Sequence, residues 1–197
     1  MTSLETALRR AAEVLNESGL RWAVVGGLAV SARAEPRTTR DVDVAVSVEG
    51  DAEAEAVLFG LQVLGFTVVS VVEQTARRRL ATARLTFGEP AFCGVLLDLL
   101  FASSGIESEV VSGAERMEIL PGLTIPIACT GHLIALKALA RNDRDRPQDL
   151  DDIRALLREA TPADVAEAQD AAALIESRGY ARGRRLVEEL SEVLAGK

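Results

Sequence analysis

The sequence predicts an α/β protein, in which a mixed sheet with flanking helices occupies residues 1–128 and a helical region occupies residues 129–197. Three observations support this prediction. Apolar residues recur at helical spacing from Leu4 to Leu15, which is typical of an amphipathic helix. Valines alternate with other residues from Val42 to Val48, which is typical of a half-buried strand. Beyond Thr130 the pattern is helical, so an α/β part followed by helices is the plain interpretation.

The first half of the chain alternates helix and strand. The opening helix carries Thr2 and Glu5 as a capping box and stops at Gly19. A short buried strand from Trp22 ends at two glycines and gives way to a brief helix before Pro36. The valine-rich strand comes next.

A second helix is predicted from Asp51 and a further strand from Phe66. Residues 73–89 are ambiguous, with a hairpin strand expected after an arginine cluster. The run "CGVLLDLLFA" is typical of a buried strand, and "MEILPGLTIPIAC" of a hairpin bent at Pro121 and Pro126.

Four helices are predicted in the last third of the chain. Thr130 is expected to cap the first, and Pro147 to start the second. Thr161 is expected to cap the third, with Pro162 in its first turn, and "GRRLVEELSEVLAG" forms the fourth.

The composition is that of an ordinary globular protein. Of the 197 residues, 48% are hydrophobic, 26% charged and 4% aromatic, so we expect folded structure throughout. The formal net charge of −8 repels polyphosphates from the molecule as a whole, which argues against broad, non-specific nucleic-acid binding. It leaves room for a local basic patch.

The sequence shows no export signal and no membrane span. Its N-terminus is polar and periodic, and the most apolar run is interrupted by Asp98 before it reaches the roughly 18 residues that a membrane helix needs. We therefore predict a soluble, cytoplasmic protein. Cys93 and Cys129 match no zinc signature, and both are expected to be buried thiols in a reducing compartment.

Three carboxylates are candidate metal ligands. Asp41 and Asp43 leave the same face of a strand about 6.5 to 7 Å apart, and they repel each other unless a cation lies between them. Mg²⁺ suits carboxylate oxygens and substrate phosphates; the alternative is the solvated end of an edge strand. Asp98 interrupts "VLLDLL", where an ionised group is costly unless it is paired, hydrogen-bonded or bound to metal. If the two strands are neighbours, the three carboxylates converge and can hold two metal ions.

The glycine pair and the following loop are candidates for phosphate binding. Gly26 and Gly27 end a strand and start a helix, where backbone amides can approach a phosphate closely, although most such pairs are simple turns. Arg37 and Arg40, in the loop before Asp41, either clamp phosphate oxygens or are solvated.

A charged group also interrupts the first C-terminal helix. Lys137 lies in "LIALKALA" and needs a partner or a ligand, unless it is a snorkelling surface lysine. Asp149 and Asp152 share a helix face, and Asp149 also suits the helix dipole. His132, the only histidine, is off the face of Lys137 and is expected to be structural.

The segment "VVGGLAVSARAEPRTTRDVDVAV" resembles the nucleotidyltransferase motif of the DNA polymerase beta superfamily. That resemblance covers about Leu20 to Phe101. Together with "LIALKALARNDRDRPQDLDDI", it is similar to the AbiEii/AbiGii toxin family, and the match then extends to about Leu157. One departure is Gly27, where many members have serine or threonine, so a hydroxyl contact to phosphate is missing.

The resemblance implies a nucleotidyltransferase fold and assigns roles to single residues. Gly26 and Gly27 would contact the triphosphate, and Lys137 would meet the nucleotide phosphates. Asp149 or Asp152 would hold that lysine or the substrate. The metal ligands would be Asp41, Asp43 and Asp98, with Asp98 as a candidate base, and the helical region would complete the site.

The implied function is Mg²⁺-dependent transfer of a nucleoside monophosphate from an NTP to an acceptor hydroxyl. The acceptor would be tRNA, and the protein the toxin of a toxin–antitoxin or phage-defence pair with a cognate antitoxin protein. Two alternatives stay open, an antibiotic nucleotidyltransferase with an aminoglycoside or lincosamide acceptor, and a catalytically inactive binding module of the same fold. The arginines around positions 77–79 and 182–185 are expected to be solvated, and they offer an RNA backbone its best contacts.

Overall fold

A computed structural model describes residues 2–74, 77–87, 94–142, 144 and 147–196. Within these residues seven strands form one mixed sheet, accompanied by eight helices. The strands are β1 (Trp22–Val25), β2 (Val42–Val46), β3 (Phe66–Gln74), β4 (Arg79–Phe87), β5 (Leu96–Leu100), β6 (Glu115–Leu120) and β7 (Leu123–Ile127). The helices are α1 (Ser3–Glu17), α2 (Gly26–Arg33), α3 (Asp51–Val63), α4 (Glu107–Ser112), α5 (Thr130–Ala140), α6 (Gln148–Glu159), α7 (Pro162–Ser177) and α8 (Leu186–Ala195). The predicted α/β class with a mixed sheet is confirmed.

The sheet places β1, β2 and β5 side by side at its centre. Its strand order is β3-β4-β5-β2-β1-β7-β6. β2 runs parallel to β5 and antiparallel to β1, and β1 runs parallel to β7. The pairs β3–β4, β4–β5 and β6–β7 are antiparallel. This order brings strands that are distant in sequence into contact around β2.

The core forms on the central strands and on α5. Val42, Val44 and Val46 are fully buried, as the period-2 pattern predicts. All four residues of β1 are buried as well, so both faces of this strand are covered. Helix α5 packs against α6, α7 and α8, and eight of its eleven residues are buried. An apolar sequence on all sides is what such a surrounded helix requires.

The helix starts follow the predicted capping signals in two cases and depart from them in one. Thr2 and Thr161 both form capping boxes, with Glu5 and Asp164 as their partners. The prediction that Thr130 caps α5 is wrong, because the helix begins one residue earlier than a threonine cap allows. Cys129 is the N-cap residue, and Thr130 is already helical.

Helix α4 has no counterpart in the sequence prediction. It is only six residues long, too short to show a helical period. Its position depends on Glu107, a buried carboxylate in its first turn, which accepts hydrogen bonds from the loop after β5.

The remaining expectations have mixed outcomes. No helix among the described residues is both long and apolar enough to cross a membrane. Cys129 is a partly buried free thiol, whereas Cys93 lies outside the described residues. The division of the chain between residues 128 and 129 stays a prediction.

Candidate active site

Three carboxylates meet at the centre of the sheet. Asp43 on β2 lies directly opposite Asp98 on the parallel strand β5, and Asp41 comes two residues before Asp43. All three line one cavity of about 470 Å³. Asp98 is 7% exposed, and the other two are half-buried. The strands β2 and β5 are therefore neighbours, which is the condition under which the sequence predicts that the three carboxylates converge.

Arg84 on β4 balances part of this charge. It lies opposite Asp98 in the antiparallel β4–β5 pair. Its Nε donates to Asp98 Oδ1 at 2.8 Å, and its Nη2 donates to Asp98 Oδ2 at 2.6 Å. These hydrogen bonds raise the pKa of Arg84 above its already high value, and the charges of Asp98, Asp41 and Asp43 add to the shift. The fields of all three carboxylates thus converge on one guanidinium.

The sequence reasoning missed Arg84. A charged residue within an alternating strand is ordinary, and Arg84 alternates with the buried residues Ala83 and Leu85. Only the pairing of β4 with β5 makes it a partner of Asp98, and that register is not visible in the sequence.

The donor set fits magnesium. The candidate ligand atoms of Asp41, Asp43 and Asp98 are all hard carboxylate oxygens, which Mg²⁺ prefers. Asp41, Asp43 and Asp98 are the residues that would hold it.

The glycine turn lies against the same carboxylates. Val25, the last residue of β1, pairs with Asp43, and α2 starts at the next residue. Gly26 has φ of +62°, and a Cβ there would lie 2.0 Å from Asp43 Oδ2. Only glycine fits this position. The N-cap residue Val25 makes no side-chain cap, so the first amides of α2 depend on another acceptor, and a phosphate suits them.

Gly27 makes room for an arginine. A Cβ at Gly27 would lie 2.6 Å from Arg37 Nη2 and 3.0 Å from Thr39 Oγ1. The space that a serine or threonine side chain would take is therefore filled by a guanidinium. In place of the missing hydroxyl, the start of α2 has a cation beside it.

Arg37 and Lys137 share a buried carboxylate. Lys137 Nζ is 2.9 Å from Asp149 Oδ1 and 2.7 Å from Asp152 Oδ2. Asp152 also contacts Arg37, with Nε 2.7 Å from Oδ1 and Nη2 donating to Oδ2 at 2.9 Å. Asp149 is fully buried, and the Lys137 side chain is 8% exposed. Lys137 is thus not a snorkelling surface lysine.

The network connects helices α5 and α6 to the loop before β2. Lys137 and Arg37 line the cavity, whereas Asp149 and Asp152 lie behind them. Arg40 is exposed and is not among the residues that line the cavity. Of the two loop arginines, only Arg37 belongs to the site.

The loop after β5 closes one side of the cavity. Glu107 Oε1 accepts hydrogen bonds from the amides of Ser103 and Ser104 at 2.8 and 2.7 Å, and from Ser104 Oγ at 2.9 Å. Both serines line the cavity. The sequence reasoning missed this loop, because nothing in its composition distinguishes it from an ordinary turn.

The two arginine clusters meet in the structure. Arg77 in the β3–β4 turn lies over the Tyr180 ring, 5.8 Å from its centroid. Arg78 and Arg182 are exposed, and Arg182 lines the cavity. We call Arg77, Arg78 and Arg182 the rim arginines. Arg184 contradicts the expectation of a solvated residue, because its Nη1 donates to the carbonyls at the end of α5.

The chain matches a known protein family over nearly its whole length. A family model described as "Nucleotidyl transferase AbiEii toxin, Type IV TA system" matches residues 7–195. No curated protein sequence matches the chain significantly.

Solved nucleotidyltransferase structures resemble this fold. The antibiotic-resistance factor ANT(2'')-Ia in solution is 18% identical with a TM-score of 0.59, covering 90% of this chain and 94% of that one. An antigenic nucleotidyltransferase-like protein from Paracoccidioides brasiliensis is 20% identical with a TM-score of 0.57, covering 99% of this chain and 93% of that one. The lincosamide antibiotic adenylyltransferase LnuA, with lincomycin bound, is 14% identical with a TM-score of 0.50, covering 79% and 98%. At these identities the likeness shows the nucleotidyltransferase fold.

We predict that Gly26→Ala destabilises the protein. Alanine at a positive φ costs about 1–2 kcal/mol, and its methyl group must also displace Asp43. We expect the free energy of unfolding, measured in urea by circular dichroism, to fall by about 2 kcal/mol or more. Gly60→Ala is the matched control, since Gly60 is exposed within α3 with open space around it, and it should gain up to about 1 kcal/mol. Equal effects of the two substitutions would contradict the close approach of Asp43.

A second prediction concerns the buried network. Lys137→Met removes the cation between Asp149 and Asp152 and should lower the free energy of unfolding by about 3 kcal/mol. Arg154→Met is the control, because Arg154 on α6 is exposed and its ion pair with Asp151 spans 3.6 Å. It should change stability by less than about 0.5 kcal/mol. A Lys137→Met variant as stable as the control would show that the network is not formed.

Proposed function

The chain belongs to the AbiEii nucleotidyl transferase toxin family and is a nucleotidyl transfer enzyme, and from this premise we propose that it uses Mg²⁺ to transfer a nucleoside monophosphate from an NTP to a hydroxyl of tRNA. The resemblance drawn from the glycine pair, the two aspartates of β2 and the later lysine is confirmed by the family match. We further propose that the protein acts in the cytoplasm as the toxin of a toxin–antitoxin pair, with a cognate antitoxin.

One observation carries the proposal. A single cavity contains the register pair Asp43 and Asp98, the start of α2 and the cation Lys137. Nucleotidyl transfer needs carboxylates for metal and cations or amides for phosphate within reach of each other. The carboxylates alone, and the phosphate-binding groups alone, each have an ordinary structural explanation. Their proximity in one cavity favours an enzyme over an inactive binding module.

The triphosphate would bind at the start of α2. The first amides of the helix and the Arg37 guanidinium beside Gly27 offer donors to phosphate oxygens. Lys137 offers a further positive charge, and Asp149 and Asp152 fix its position. Mg²⁺ held by the three carboxylates would neutralise charge on the reacting phosphate.

Asp98 is the candidate base. In the transfer step the acceptor oxygen forms a bond to the α-phosphorus, the bond to the pyrophosphate oxygen breaks, and the hydroxyl proton passes to a carboxylate. Arg84 orients Asp98 through two hydrogen bonds. The Arg84 side chain is 43% exposed, so it can move toward solvent and yield one carboxylate oxygen to the acceptor or the metal.

The rim arginines support a polyanionic acceptor. The chain as a whole is strongly acidic, and yet Arg182 lines the cavity, and Arg77, about a hundred residues earlier in the chain, lies over the ring of nearby Tyr180. Arg78 and Arg182 also have positive φ angles, of 49° and 57°, which non-glycine residues rarely adopt. A positive φ at a non-glycine residue costs free energy, and the fold nevertheless keeps both arginines in this conformation. Such local positive charge suits an RNA backbone.

The transfer reaction can be tested directly. The full-length chain is incubated with each labelled NTP, Mg²⁺ and total bacterial tRNA, in parallel with kanamycin and lincomycin as acceptors. We expect label on tRNA, a loss of about 100-fold or more for Asp98→Asn, and no transfer by Asp41→Ala/Asp43→Ala. Label on an antibiotic alone would show that the acceptor is the antibiotic and not tRNA, and the protein would still be a nucleotidyltransferase. Failure to bind any NTP in calorimetry would overturn the proposal in favour of the inactive module.

The acceptor can be tested separately through the rim arginines. Arg78→Asn with Arg182→Asn removes two positive charges, and asparagine tolerates the positive φ at both positions. We expect KM for tRNA to rise about tenfold at physiological salt, with NTP binding unchanged. Arg185→Asn is the control, because Arg185 is exposed in the same segment but does not line the cavity. An unchanged KM for tRNA would contradict an RNA contact at this rim.

A further inference from the structure

A second cluster of metal-ligating side chains lies outside the active-site cavity. Cys129 Sγ is 2.9 Å from His132 Nδ1 and 3.0 Å from Glu167 Oε2. The three ligand atoms all lie within 4.8 Å of one another. None of the three residues is among those that line the active-site cavity. The cluster therefore lies outside the cavity in which the transfer reaction is proposed to take place.

Two packed helices hold the cluster together. Cys129 precedes α5 directly, His132 lies in its first turn, and Glu167 projects from α7. The helices approach closely because Gly131 has no side chain, since a Cβ there would lie 2.5 Å from Glu167 Oε2 and 2.7 Å from the Asp164 carbonyl oxygen. The three groups are therefore positioned by the fold and not by a flexible loop.

We propose that Cys129, His132 and Glu167 bind one zinc ion. A cysteine sulfur, a histidine nitrogen and a carboxylate oxygen are the three ligand types that zinc takes in proteins, and three protein ligands with one open position form a recognised zinc geometry. The sulfur distinguishes this cluster from the all-oxygen site at Asp41, Asp43 and Asp98, because thiolate ligands select zinc over magnesium.

The distances are compatible with zinc after a small adjustment. A tetrahedral zinc ion with bonds of about 2.0 to 2.3 Å keeps its ligand atoms about 3.3 to 3.6 Å apart. The two contacts of Cys129 Sγ, at 2.9 and 3.0 Å, are hydrogen bonds of the metal-free cluster and need to open by about half an ångström.

The protonation state favours metal binding at His132 and opposes it at Cys129. Burial lowers the pKa of His132, so its imidazole is neutral and can act as a ligand at neutral pH. Burial and the hydrogen bond to Glu167 raise the pKa of the Cys129 thiol to about 12, so the metal-free cluster holds a proton on sulfur. A bound cation displaces that proton, as metal–thiolate bonds do in general.

A separate cavity borders two of the three candidate ligands. A space of about 400 Å³ is bordered by His132 and Glu167, and also by the carboxylates Glu109 and Asp170. Water from this cavity would complete the zinc shell, because both Glu109 oxygens already accept hydrogen bonds from Arg178. Because Cys129 and His132 belong to the start of α5 and Glu167 to α7, a bound ion would link the two helices.

Metal binding to the full-length chain tests the proposal. The metal-free protein is titrated with Zn²⁺ in a calorimeter, and with Co²⁺ in a spectrophotometer to detect the charge-transfer band of a cobalt–thiolate bond. We expect one zinc per chain, a cobalt–thiolate band and a raised Tm with zinc. Cys129→Ser should abolish the band, and His132→Gln and Glu167→Gln should each weaken zinc binding at least about tenfold.

Two matched controls separate this cluster from other sites. Cys93→Ser replaces the other cysteine and should retain the cobalt band, and Asp41→Asn/Asp43→Asn should retain zinc affinity. The proposal is overturned if the unmutated chain shows no cobalt–thiolate band, if Cys93→Ser abolishes it, or if zinc is lost only with the aspartates. Because the unmutated chain decides the first outcome, a variant that fails to fold does not weaken the test.

Discussion

The site depends on the ion pairs that the buried carboxylate of Asp152 makes with two cations. It contacts Lys137 on α5 and Arg37 in the loop before β2, and so it joins the C-terminal helices to the centre of the sheet. Two cations that face one cavity repel each other, and each is costly to bury unless it has a partner of opposite charge. Asp149 supplies a second negative charge, so the four groups balance. The cavity therefore keeps two fixed cations close to the start of α2 without an uncompensated buried charge.

Charge pairing also shapes the opposite side of the cavity, where three carboxylates converge. Arg84 pairs with Asp98, and the charges of Asp41 and Asp43 act on the same guanidinium. Gly26, with its positive φ and its contact with Asp43, shows that the backbone is shaped around this carboxylate as well. The convergence of the three carboxylates is therefore a feature that the backbone accommodates.

The sequence predicted those parts of the site that are local in the chain. Asp41 and Asp43 follow from strand periodicity, and Gly26 from the strand-to-helix turn, because each pattern spans only a few residues. Arg84 and Glu107 could not be found in this way, since their partners are set by strand register and by a short helix without a visible period. The sequence does not show that β2 and β5 are neighbours, so the convergence of their aspartates could be predicted only on that condition. Most helices and strands were predicted for the same reason, whereas the short helix α4 was missed and the cap of α5 was placed at Thr130 instead of Cys129.

Helix α5 connects the contacts at its two ends to the position of Lys137. Its start is packed against α7 through Gly131 and Glu167, and its end is held by Arg184, which donates to the carbonyls of Leu139 and Arg141. Lys137 lies between these two anchors and is fixed further by its carboxylate partners. A flexible lysine loses rotamer entropy when it binds a phosphate, and here that cost is met on folding. An ion at Cys129, His132 and Glu167 would tighten the first anchor, so zinc would act on Lys137 through the position of its helix and not through its charge.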